Sequence, residues 1–212
     1  MENHEKAWII GVDEAGRGSL LGRVYAGAVC FGSEVSETWR KKKIVIWDSK
    51  KMTAKARQRS RIYIEDKAMW GIGWASEEEV DRLGIVPANT LAMHRAIDDL
   101  MARFPILTEM KIELKVDGTF FRDYPNIPHK LVVRGESAYP EIAAASILAK
   151  THRDAYIQEL CRSNSSLTRY CLETNMGYGT AAHLAALREY GSTPLHRQTF
   201  IKKFCPNEFS KL

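Results

Sequence analysis

The chain has 212 residues, 45% of them hydrophobic and 27% charged, which suits one soluble globular domain with a full core. A net charge of +5 points to a polyanionic partner. No run approaches the length of a membrane span and "MENHEKAW" carries no apolar signal segment, so a cytoplasmic protein with no membrane partner is expected. The four cysteines form no C-x-x-C pair and the six histidines show no metal-ligand spacing, which argues against a disulfide scaffold and against zinc.

In chain order, residues 7–12 and 24–31 have the composition of strands, flank a glycine-rich turn and can pair antiparallel. The segment from Arg40 to Arg61 then holds ten of the 31 basic residues and one acid, Asp48, so one region should be strongly positive. A helix is expected over 53–69 with Thr53 as N-cap, and a strand over 70–76. Leu91, Ile97, Leu100 and Met101 stand at helical spacing within 88–103. Strands are expected over 111–118, ending at Asp117-Gly118, and over 129–135, ending at Gly135-Glu136. Pro140, at a first-turn position, opens a long helix through Leu160. Shorter helices follow near 180–190 and before the C-terminus. The expected architecture is α/β, with a mixed antiparallel and parallel sheet flanked by helices. A single domain over 1–212 is expected, with a small helical part from about 165 to 212 packed on it.

Acids therefore fall at three strand ends: Asp13-Glu14, Asp117 and Glu136. Ligands gather outside the carboxyl ends of strands in such sheets. Within a regular strand Asp13 and Glu14 would point to opposite faces, so a bend permitted by Gly16 and Gly18 is expected to bring them together. Singly, each acid has a plain alternative: Asp117-Gly118 as a turn, Glu136 as surface, Asp13-Glu14 as a cap. Together, four converging carboxylates require a cation. Hard oxygen ligands select Mg²⁺ or Mn²⁺, with a phosphate on the far side. A P-loop is rejected, because Arg17-Gly18 stand where Lys and Ser/Thr are needed.

These residues match a known family. "GVDEAGRGSLLGRVYAGAV" (11–29), "DSKKMT" (48–53), "VDG" (116–118), "IAAASILAKTHRD" (142–154), "NMGYGT" (175–180) and "STPLHRQTF" (192–200) resemble ribonuclease HII, in order and spacing. The resemblance implies a ribonuclease H-like fold and two-metal hydrolysis of RNA in RNA–DNA hybrids. It also implies incision 5′ of single ribonucleotides in duplex DNA, leaving 5′-phosphate and 3′-hydroxyl. Asp13, Glu14 and Asp117 fall on three of the four family carboxylates, with Glu136 as the fourth catalytic and metal-holding residue. Gly16-Arg17-Gly18 falls on the turn that reads the ribose 2′-hydroxyl, Tyr178 on the tyrosine that packs against the next deoxyribose, and Lys50 on a phosphate contact. The alanines of "IAAASILAK" are expected to let that helix approach the sheet, while Ser146 and Lys150 can face substrate. His196 and Arg197 either bind phosphate or tie down the tail.

One position departs from the pattern. Ribonuclease HII typically has Gly-Asp where this chain has Gly135-Glu136, and glutamate there resembles ribonuclease HIII. That class usually also has lysine at the Arg17 position and an extra N-terminal domain; this chain has Arg17 and a first strand expected from residue 7. A ribonuclease HII acting as a monomer, with an unusual fourth ligand, is the expectation. The alternatives are a ribonuclease HIII-like enzyme cutting only hybrid tracts, and a non-hydrolytic nucleic-acid-binding protein of the same fold.

Overall fold

The computed structural model describes residues 7–41 and 49–204, excepting the side chains of Ser33, Ser36, Arg40 and Lys50. Strand β1 (Trp8–Ala15) turns through the glycine-rich loop into β2 (Val24–Cys30), and the two pair antiparallel with Asp13 opposite Gly27. Helix α1 (Ser33–Lys41) follows, then α2 (Ala54–Lys67) and β3 (Met69–Ala75). Thr53 caps α2 as expected, its side chain accepting the Ala56 N–H.

Helix α3 (Glu77–Leu83) was not expected from hydrophobic periodicity. It forms because Ser76 and Glu79 make a reciprocal capping box at its start. Helix α4 (Ile85–Arg103) leads into β4 (Ile112–Asp117) and β5 (His129–Val132). Pro140 occupies the first turn of α5 (Pro140–Ser163), and α6 (Leu172–Asn175), α7 (Ala181–Tyr190) and α8 (Gln198–Ile201) close the described chain. Among the described residues no helix is long and apolar enough to cross a membrane.

The strand order is β3-β2-β1-β4-β5, antiparallel across the first three and parallel from β1 outward. That is the mixed α/β sheet the sequence implied. Its pleat sends Ile10 and Val12 into the core shared with α4, where Met93, Ile97 and Leu100 lie. The intervening residues face α5. Ala144, Ala145, Ile147 and Leu148 pack there against Val29, Phe31 and Trp39 of α1. The alanines allow close approach, and Gly27 completes it: a Cβ there would stand 2.5 Å from the Ala145 carbonyl oxygen. A third cluster joins the second half of α5 to the C-terminal helices through Ile157, Cys161, Leu172, Leu187 and Ile201.

Candidate active site

Asp13 sits inside β1, not at a bend. The strand runs straight through Glu14 to Ala15, correcting the expectation that a turn at Gly16 and Gly18 reorients the pair. Alternation keeps its ordinary consequence. Asp13 is buried toward α5 and Glu14 is only partly covered. The two still share a site because β4 ends at Asp117. The parallel register pairs Val12 with Val116, and its next step sets Asp117 beside Asp13.

Glu136 arrives differently from the expectation as well. Strand β5 stops at Val132, Arg134 adopts a left-handed conformation (φ 58°), and Glu136 lies in a short 3-10 turn, Gly135–Ser137. The early stop follows from that reversal, which takes the chain out of the extended ladder.

Backbone N–H groups fix three of the acids. Asp13 Oδ1 accepts from Glu14 N at 2.7 Å, Asp117 Oδ1 from Gly135 N at 2.6 Å, and Glu136 Oε2 from Ser49 N at 2.7 Å. The second of these ties the turn that carries Glu136 to the end of β4. The Asp13 carboxyl is pushed well above the usual carboxylate range. Burial is the main cause, then the neighbouring charges of Glu14 and Asp117 and, more weakly, Glu136; a hydrogen bond with Ser146 opposes them. Among the described residues no three His, Cys, Asp or Glu side chains are drawn tightly enough together to cage an ion as they stand.

Beside these acids opens a cavity of about 520 Å³, lined by Glu14, the Gly16-Arg17-Gly18 turn, Ser49, Arg57, Ser146, Lys150 and Tyr178. The sequence motifs from β1, α5 and the segment before α7 thus meet on one surface. Gly16 has φ 86°, and a Cβ there would lie 2.0 Å from Arg153 Nε, so position and packing both demand glycine. Arg17 is about half exposed and stands 3.7 Å from Glu14. The ammonium of Lys150 lies 5.3 Å from the Tyr178 ring centre and 2.8 Å from Asp154. The side chain of Lys50 lies outside the described residues, although its backbone belongs to the 3-10 turn Ser49–Lys51.

His196 and Arg197 are structural. Both are buried, and Arg197 donates to the carbonyls of Gly22 (2.9 Å) and Arg17 (3.0 Å). Arg153, equally buried, donates to the carbonyls of Leu21, Arg23 and Met176. Arg153 therefore braces the glycine-rich loop against the Tyr178 segment, and Arg197 ties the same loop to the segment before α8. His196 Nε2 lies 3.1 Å from His183 Nε2, both rings meet Tyr170 edge-on, and burial lowers both pKa values, that of His196 to about 3.

Three residues at the site carry no sequence signal of their role: Ser49, Arg57 and Arg153. Ser49 lay within the "DSK" match, but nothing in its spacing shows which atoms it meets across the fold.

The fold is that of the ribonucleases H. The crystal structure of ribonuclease H2 from Pyrococcus horikoshii OT3 aligns over 97% of this chain and all of its own, with TM-score 0.65 and 22% identity. That of Bst-RNase HIII in complex with Mn²⁺ aligns over 97% of this chain and 71% of its own, with TM-score 0.74 and 17% identity. The chain belongs to the ribonuclease HII family, whose model matches residues 10–203. Ribonuclease HII of Bacteroides thetaiotaomicron is 44% identical over 191 residues, covering 90% of this chain and 88% of the relative. The protein is thus a ribonuclease H endonuclease, a hydrolase acting on the RNA of RNA–DNA hybrids.

Proposed function

We propose that this enzyme cleaves hybrid tracts and also incises 5′ of single ribonucleotides embedded in duplex DNA, leaving 5′-phosphate and 3′-hydroxyl ends. The observation that carries this reading is the joining of the buried Asp13, with three further acids around it, to a cavity edged by the Gly16-Arg17-Gly18 turn and Tyr178.

The acids fit a divalent cation by their chemistry. All four offer hard oxygen atoms, and each repulsion that raises the Asp13 pKa is one a cation would offset. Asp13, Glu14, Asp117 and Glu136 would hold Mg²⁺ or Mn²⁺, a pair of ions in the two-metal scheme. Such ions supply an activated water and charge stabilisation at the scissile phosphate.

The remaining work falls to the chain. The Gly16-Arg17-Gly18 turn meets the ribose, whose 2′-hydroxyl is what distinguishes RNA from DNA at the cut site. Its shape is held from behind by Arg197 on the Arg17 carbonyl. Tyr178 packs against the sugar on the 3′ side of the cut, steadied by Lys150 and Arg153 near its ring. Lys150 and Lys50 serve the phosphates, and the Ser146 hydroxyl orients Asp13. The protein acts as a monomer in the cytoplasm on these two nucleic-acid substrates.

The test incubates the protein with a full hybrid, with duplex DNA holding one ribonucleotide, and with plain duplex DNA, in Mg²⁺ and in Mn²⁺. Cleavage of the first two but not the third is expected. Cleavage of the hybrid alone would make the enzyme ribonuclease HIII-like, as Glu136 would then suggest.

A further inference from the structure

Every polar group of Ser49 is committed. This residue is buried, its N–H donates to Glu136 Oε2 at 2.7 Å, and its carbonyl accepts from Arg57 Nη1 at 2.9 Å. Its hydroxyl lies 2.9 Å from that of Ser146, which in turn hydrogen-bonds Asp13. The direction of this relay follows from chemistry. The Ser146 bond favours the charged form of Asp13, which can only accept, so Ser146 donates to Asp13. Ser146 has then used its one hydrogen, and Ser49 must donate to Ser146. Arg57 also donates to the Met52 carbonyl at 2.5 Å, which locks the 3-10 turn onto the first turn of α2.

We propose that Ser49 is a positioning residue that sets two of the acids against each other: its backbone N–H holds Glu136, and its hydroxyl, through Ser146, holds Asp13. Sheet register aligns Asp13 with Asp117, but Glu136 stands on a separate turn and its side chain has one more methylene than aspartate. Without an anchor, that length would let its carboxylate swing. The inference rests on the carboxylate chemistry proposed above.

The experiment compares wild type with Ser49→Ala, Ser146→Ala, the double variant and the near-isosteric Ser49→Cys. It reads kcat and KM on a hybrid, and Mn²⁺ affinity by calorimetry without nucleic acid. Each alanine variant should lose roughly tenfold in kcat and in Mn²⁺ affinity, the scale of losing a hydrogen bond behind a metal ligand. KM should stay within about twofold, since the cavity walls that grip substrate remain. The double variant should be little worse than either single one, because one relay is broken twice. Ser49→Cys, a weaker donor of similar size, should fall between wild type and alanine, and it carries the test if the alanine variants do not fold. Unchanged kcat and Mn²⁺ affinity, a loss confined to KM, or additive losses would each overturn the proposal. Asp13→Asn in parallel separates the two readings. If it cleaves normally, the carboxylate chemistry itself is wrong; if it is inactive while Ser49→Ala is normal, only the role of Ser49 falls.

Discussion

Asp13 is held where its charge is least welcome, and that has a measurable cost. Its folded-state pKa is raised, so the penalty is absent below the unfolded value near 3.8 and grows as pH rises toward the folded one. At neutral pH the free protein carries it. Asp13→Asn keeps the shape and an oxygen to accept the Glu14 N–H, but removes the charge. We predict that it melts above wild type without divalent ions, because the buried charge is gone. Mn²⁺ should raise the melting temperature of wild type and leave the variant unmoved. Cleavage should nearly vanish while hybrid binding persists. A variant that melts lower, or cleaves at a near wild-type rate in Mg²⁺, contradicts this account. At the same scale, Glu136 was the residue whose identity the family pattern put in question. The structure holds it on a main-chain N–H, at one end of a fixed set of bonds.

At the scale of elements, the site depends on how closely α5 lies on the sheet. Gly27 faces Asp13 across the β1–β2 ladder and touches Ala145, next to Ser146. Gly27→Ala places a carbon against backbone that cannot yield without moving α5. A destabilisation of about 1–3 kcal/mol is expected, as for overpacked cores, with a fall in kcat because Ser146 shifts from Asp13. Thermal melts and steady-state rates check both; an unchanged melting temperature would show that α5 tolerates the displacement.

The histidine pair that joins α7 to the segment before α8 gives a second test. The folded-state pKa of His196 is depressed from 6.5 to about 3, so the native state stays unprotonated while the unfolded chain takes up a proton. Stability is therefore full above about pH 6.5 and is lost as pH falls from there toward 3. Between pH 7 and pH 5 the loss from His196 is about 2 kcal/mol, with His183 adding in the same direction. His196→Gln should flatten the melting temperature across that range, measured by calorimetry. An equally steep profile in the variant would place the acid sensitivity elsewhere.

For the whole molecule, the net charge of +5 is unevenly spread, and the basic stretch from Arg40 to Arg61 adjoins the cavity through Ser49 and Arg57. Lys42 and Lys43 lie outside the described residues; Lys51, Lys55 and Arg59 are exposed on or just before α2. Arg57 and Arg61 are engaged otherwise, the first on the carbonyls of Ser49 and Met52, the second on Glu65. Replacing Lys51, Lys55 and Arg59 by glutamine should weaken hybrid binding uniformly across sequences. If all three meet phosphates, the log–log salt slope should shrink by about 2–3, at roughly 0.7–0.9 per contact. A slope unchanged in fluorescence-anisotropy titrations would leave this face merely solvated.

The order of strands and helices was largely legible in the sequence because it rests on local signals. Thr53 and Pro140 mark helix starts, and alternation marks β4. Helix α3 was missed because a capping box rather than apolar periodicity carries it, and α1 because its nine residues offer only two apolar side chains, Val35 and Trp39, one turn apart. The acids could be named from their motifs, since each motif is contiguous. How they come together could not. Asp13 and Glu14 meet the others because β4 ends one register step after Val116 and because a left-handed Arg134 turns Glu136 back, both consequences of chain segments far apart in sequence. The same holds for Arg197, whose choice between phosphate and tail was open in the sequence. A guanidinium's partner is set by which carbonyls burial brings within 3 Å, and only the tertiary structure places Gly22 and Arg17 there.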